Sequence, residues 1–524
     1  MKRWTIVVSL LLACLTLPLA AAQDTEESDD ANLKEEVRDY PPDLTEHIRP
    51  ALPQDYNPGG KPALTVVPGI SIVDVVVSNT NTNLKNTNTT PNSEPSIAIN
   101  PNNTNQIVVL AFSGGWGATA PLWYTTNGGT TWTLENSIPN PPGLTQDGCP
   151  CDQTPDYAAS GKMSATFLHT DNAGIDVYSS MTTGPATKSD WKWFTSGGIT
   201  QTTNQTGTGN VDQPWLLMGV DPQKAGQYNT YVAYDDFDGA PDMHVAVAEG
   251  TDPPDFTLDN FVGFSGGAIN PGQRLGKDIT RHIIYSLWQL CPTNLDPNCT
   301  NQNANPKTIY YYLNRSTDGG RTWSLNGTTT GWLAAVGQST QPNPKFGTVN
   351  ALLGGVDHIA VDSNSGDVYI VFGNRDSKTG NNRLSIERLT SDGAGGLKVA
   401  STAFVTAQSQ TALLSVAVAQ NSKGTVGVLY TRYDGIDSAT KLPKFSVWLA
   451  QSDDHGLTFS HTQLESFLSP VGNNGNSRQR VLGDYQQLKA WGGTFYGVFA
   501  GNGVPFGRPF ANIDPIFFKT TPTN

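Results

Sequence analysis

The sequence predicts an all-β chain folded as a β-propeller of four-stranded blades, and three observations predict it. A turn motif occurs three times, as "YTTNGGTTWTL" at 124–134, "RSTDGGRTWSL" at 315–325 and "AQSDDHGLTFS" at 450–460. A longer pattern of polar entry and short apolar strands recurs about seven times at a spacing of roughly 55 to 80 residues. The 524 residues include 53 Gly and 35 Pro, only 15% are charged, and no long amphipathic helical run appears.

Each turn copy reads Ser/Thr, any, Asp/Asn, any, Gly, any, Thr, Trp/Phe. In the second copy the Ser316 hydroxyl and Asp318 carboxylate can bind backbone amides, Gly320 can take positive φ, and Trp323 can anchor the next strand. This is hairpin chemistry, so the repeat reports folding rather than catalysis.

The longer units start near Ser93, Pro155, Val211, Lys277, Val356, Leu413 and Gly483. Each has room for four strands, which makes seven blades, with six as the alternative because the fourth and seventh units are irregular. The last unit runs out after "DPIFFKTT" from Asp514. The segment "ISIVDVVVSN", 70–79, is expected to supply its missing outer strand and close the ring.

Lys2 and Arg3, the apolar run from Trp4 to Leu19 and the small residues of "AAAQ" read as a secretory signal peptide over 1–22. An alternative is a lipid-attached Cys14 in "LLAC". Residues 23–64 form an acidic, flexible leader, and 65–524 the propeller. No later stretch is long and apolar enough to span a membrane. The expected location is therefore secreted, periplasmic or cell-surface, and the expected state a monomer. Cys149, Cys151, Cys291 and Cys299 are disulfide candidates with the pairing open. A formal charge of −14 argues against nucleic acid as a partner.

The three turns, together with "EPSIAINP", "DQPWLLMGVDP" and "GDYQQL", resemble the bacterial secreted Asp-box (BNR) repeat proteins of the sialidase-like β-propeller superfamily. The resemblance runs over most of the chain from about residue 65. In such propellers the Asp boxes join the third and fourth strands, and the pocket lies on the opposite face. Residues expected there are Glu94, Asp156, Asp212, Asp278, Asp357 and Asp484 at inner-strand entries. Loops between the second and third strands add Asp235, Asp236, Arg375, Asp376, Arg432, Tyr433, Asp434 and Arg508, and the connections between blades add Arg274, Arg478 and Arg480.

The resemblance implies an exported protein that binds, and in its enzymatic form hydrolyses, glycans bearing acidic sugars. Arg375, Arg432 and Arg480, with Arg508 near them, would clamp the substrate carboxylate. Asp212 or Asp235 would be the acid/base, and Tyr433 or Tyr485 the nucleophile beside Glu94. One departure opposes this: the Arg-Ile-Pro type segment of sialidases is absent, and "SEPSIAIN" stands in its place. The alternative is a non-catalytic propeller that binds protein or polysaccharide. Lyase chemistry on uronic-acid polymers would use similar residues, with nothing specific in its favour. No organic cofactor is expected, while the acidic ring offers the oxygen-only ligands that Ca²⁺ takes. "GFSGG" at 263–267 lacks the helix a nucleophile elbow needs, the histidines lack zinc spacing, and Asp357-His358 reads as packing.

Overall fold

A computed structural model of the chain describes residues 68–78, 93–112, 121–135, 138–144, 151–171, 174–205, 209–237, 242–264, 273–290, 307–339, 357–375, 378–407, 411–470, 482–508, 510 and 513–522. The signal peptide, the whole leader, Cys149, Cys291, Cys299, Asp376, Arg478 and Arg480 lie outside the described residues, as does the side chain of Cys151.

Among the described residues seven antiparallel blade sheets follow one another along the chain, with a separate two-stranded ribbon of Thr195–Ser196 and Ile199–Thr200 after the second. Six have four strands, and their innermost strands are β2 (Ser93–Ile99), β11 (Val211–Val220), β15 (Arg274–Asp278), β19 (Asp357–Val361), β23 (Thr411–Val418) and β27 (Gln487–Trp491). Consecutive strands in each sheet are neighbours, which is the up-and-down order of a propeller blade. In the last sheet β27 pairs with β28 (Thr494–Asn502), β28 with β29 (Ile513–Thr520), and β29 with β1 (Ile70–Asp74), from Ile70 opposite Thr520 to Asp74 opposite Ile516. The ring closes as the sequence predicts, and β29 is spared an open edge.

The irregular blade is the second, rather than the fourth or seventh. Its sheet has three strands, β6 (Cys151–Tyr157), β7 (Met163–Thr170) and β8 (Ile175–Thr182). The outer edge of β8 is covered by an isolated bridge from Met181 to Lys192 and by bonds from Thr203 N to Val177 O and from Val177 N to Asn204 Oδ1.

Burial follows from position. The inner strand β11 is buried along nearly its whole length, because neighbouring blades cover both of its faces, and from Pro214 onward it reads as a continuous apolar run. The outer strand β22 (Leu397–Thr406) alternates with exposed positions. Side chains on the inner strands tie one blade to the next: Thr154 Oγ1 accepts from Leu216 N (2.9 Å), Ser415 Oγ from Leu488 N (2.9 Å), and Gln487 Oε1 from Ile97 N (2.9 Å).

The three echoed turns each join the third and fourth strands of a blade, after β4 (Leu122–Thr125), β17 (Lys307–Ser316) and β25 (Pro443–Ser452). Their bonding is the same. Ser316 Oγ donates to Asp318 Oδ1 (2.8 Å) and accepts from Gly320 N (2.8 Å), while Asp318 takes the Arg321 and Thr322 amides. Asn127 and Asp454 repeat this, and the Trp132 and Trp323 indoles donate to the Gly129 and Gly320 carbonyls. Gly320 has φ 90°, and a Cβ there would stand 2.8 Å from Tyr231 of the preceding blade. The turn therefore seats each hairpin against its neighbour.

Candidate functional site

Inner strands begin at the end of the axis opposite the echoed turns. In β2, β6 and β11 the first residues are bulged, and Glu94, Asp152 and Gln213 hold positive φ (51°, 53° and 52°). A bulge re-aims the side chains around it. Here the bulges gather Glu94, Asp152, Asp212 and Asp484 into one buried group, each at most 6% exposed.

Glu94 is the centre of this group. Its Oε1 accepts from Asp484 N at 3.0 Å, its own amide donates to Leu482 O at 3.2 Å, and its carboxyl lies near that of Asp152. Burial pushes Glu94 well above the usual carboxylate range, with Asp152 and Asp484 adding to the effect. Burial also raises Asp152, reinforced by Asp212 and Asp484, while Glu94 and Arg274 pull the other way.

An aromatic and cationic wall adjoins the carboxyls. The Arg274 guanidinium lies 4.4 Å from the Trp215 ring and 5.8 Å from Tyr485, and Trp215 packs edge-on against His358 at 5.4 Å. The Tyr485 hydroxyl donates to Gln153 O at 3.3 Å. Burial raises Tyr485 well above the ordinary phenol value, with Asp152 and Glu94 adding, so it is a neutral phenol. Burial, then Arg274 and Lys489, lower His358 to about 3, so it is neutral as well.

The structure thus brings Glu94, Asp212, Asp484 and Tyr485 together with Arg274. Asp235 lies on β12 (Tyr228–Asp236) opposite Asp212, and it too is buried. The other expected residues go elsewhere. Arg508 is not at an open loop: its side chain is 1% exposed and forks onto Asp514 at 2.8 and 3.3 Å. Arg432 pairs with Asp434 and lies over Trp448 at 5.2 Å. Arg375 donates to Gly380 O within its own loop at 3.2 Å, and Tyr433 packs on Phe445.

Asp156 and Asp278 are not strand entries. They fall at the far ends of β6 and β15, because β6 starts four residues earlier than Pro155, at Cys151, and β15 starts at Arg274. The entry residue of the second blade is Asp152, which the sequence reading passed over. The likeness of "CDQTP" at 151–155 to "VDQPW" at 211–215 is the signal that identifies it.

Among the described residues no group of three or more His, Cys, Asp or Glu is placed to hold a metal ion. No described helix is long and apolar enough to cross a membrane.

No family model and no curated protein matches the chain. It is similar to several solved structures. One is an exo-1,5-α-L-arabinanase from a bovine ruminal metagenomic library, with 14% identity over 60% of this chain and 98% of that one and a TM-score of 0.30. Another is a mutant Aleuria aurantia lectin in complex with α-methyl-L-fucoside, with 11% identity over 66% and 86% and a TM-score of 0.34. A third is an N-acetylgalactosamine deacetylase from F. plautii in complex with blood group B trisaccharide, with 11% identity over 72% and 89% and a TM-score of 0.34. Likenesses of this size carry no argument, and the propeller rests on the strand order itself.

Proposed function

We propose that this chain is an exported, non-catalytic propeller that binds carbohydrate on the face where the inner strands begin. The observation that carries this reading is the disposition of its arginines. Arg432, Arg508 and Arg375 are engaged with Asp434, Asp514 and the Gly380 carbonyl, three separate partners on three separate blades. A clamp for one substrate carboxylate needs guanidiniums that converge. Tyr485, held as a neutral phenol, is a weak nucleophile.

Support for a sugar ligand comes from guanidinium-aromatic pairs toward this face. Arg432 lies over Trp448 and Arg383 lies 4.3 Å from Phe404, whose exposure is 44%. An aromatic surface covers the apolar face of a sugar ring while the planar cation and Asp434 serve its hydroxyls. Hydrolysis is a second reading, favoured by the burial of Tyr485 where Asp152 and Glu94 both act on its phenol electrostatically.

The purified protein, applied to a glycan array and to a panel of sialylated and uronic-acid glycans, separates the two. Binding without sugar release, weakened about tenfold in Arg432→Ala, is the expected result. Sugar release that Tyr485→Phe abolishes would replace this reading with hydrolysis, and absence of binding to every glycan would end both.

A further inference from the structure

At the other end of the axis, where the inner strands finish, a cavity of about 130 Å³ opens between the blades. Its polar floor is made by three side chains from three inner strands. Lys277 Nζ donates to Asp156 Oδ2 (2.8 Å) and to Met218 O (2.9 Å), and Lys489 Nζ donates to Asp156 Oδ1 (3.4 Å). Asp278 also borders the cavity, but it is answered by Arg281 at 2.9 Å. The floor therefore carries two ammoniums against one carboxylate, an excess of one positive charge.

The donors are also incompletely used. Each ammonium has three N–H groups. Lys277 directs two of them at protein oxygens and Lys489 one, while both side chains remain 26% exposed. Above them the walls are apolar and partly aromatic, formed by Tyr157, Met218, Ile284 and Trp491. Ala159 and Ile279 stand exposed at the rim, so the cavity is open to solvent.

The geometry points to a binding site for a small monocarboxylate on a planar apolar body, seated head-down on Lys277 and Lys489. One excess charge matches a monoanion, whereas a dianion would leave negative charge against apolar walls. The volume is close to the roughly 150 Å³ apolar cavity that admits benzene. The aromatic walls suit a flat ring. Neither the echoed turns nor the carboxyl group at the opposite end takes part.

Benzoate is the probe, titrated at neutral pH against the full protein by calorimetry, with neutral benzamide of the same shape as control. Saturable benzoate binding, at least about tenfold tighter than benzamide, is the expected result. Lys277→Met should weaken it at least about tenfold. Should that variant misfold by circular dichroism, Ala159→Trp, at an exposed rim position, should block benzoate while leaving the spectrum unchanged. No saturation by wild type at about 10 mM, equal affinity for benzamide, or unchanged binding in folded variants would each overturn the site.

Discussion

The two ends of the propeller axis handle buried charge in opposite ways. At the end where strands begin, Glu94, Asp152, Asp212 and Asp484 crowd together with Arg274 against them, and burial raises the first two above the usual carboxylate range. At the other end one carboxylate, Asp156, lies between two ammoniums. Burial alone would raise Asp156, but Lys277 and Lys489 outweigh it and hold the group below the usual range. The contrast shows that the sign of a buried carboxylate's shift is set by its neighbours across the axis, since both groups are buried.

The strongest way to break the acidic end is steric. Gly483 has φ 76°, and a Cβ there would stand 1.9 Å from Glu94 Cγ. Gly483→Ala should therefore cost at least about 4 kcal/mol in denaturant unfolding, since neither the backbone nor the buried carboxyl can give way. A loss below about 1 kcal/mol would mean that the Glu94 contact is not rigid.

At the basic end, Asp156→Asn should cost about 3 kcal/mol at neutral pH, because it leaves two partly buried ammoniums without their counter-ion. The folded pKa of Asp156 is depressed, so its contribution is present above the unfolded carboxylate value and is lost as the pH falls through the folded one. The gap between wild type and variant should close on acidification. A gap independent of pH would place the loss in packing instead.

Glu94→Gln should show the opposite sign and the smallest size. Glu94 is raised, so its contribution is present below the ordinary carboxylate range and is lost as the pH climbs through the folded value. The variant keeps an oxygen for the Asp484 amide and cannot ionise. It should match or exceed wild type by about 1 kcal/mol at neutral pH and flatten the alkaline decline. A variant less stable than wild type at every pH would show that burial does not hold Glu94 above the ordinary carboxylate range.

Most of the fold could be read from sequence because blades are local. A hairpin turn is written in eight consecutive residues, as at 316–323, and the closing strand at 70–79 announces itself by its apolar run opposite a unit one strand short. The reading slipped where a blade departed from the pattern. In the second unit the bulge at Asp152 shifts the strand start, so Asp156 was assigned to the wrong end of the axis. The axial group itself was half legible. Glu94, Asp212, Asp484 and Tyr485 were named, but Asp152 was not, and Arg274 was placed only in a connection.

By itself, the sequence determined the all-β class, the repeat of a self-contained hairpin turn and the need for a strand from the N-terminal side, because each depends on contacts between near neighbours or on counting strands. Only the tertiary structure decided which charges meet. Glu94 and Asp484 are 390 residues apart and Asp156 and Lys489 are 333 apart, and they meet because seven inner strands converge on one axis. Periodicity along one strand holds no information about the partner brought to it from across the ring.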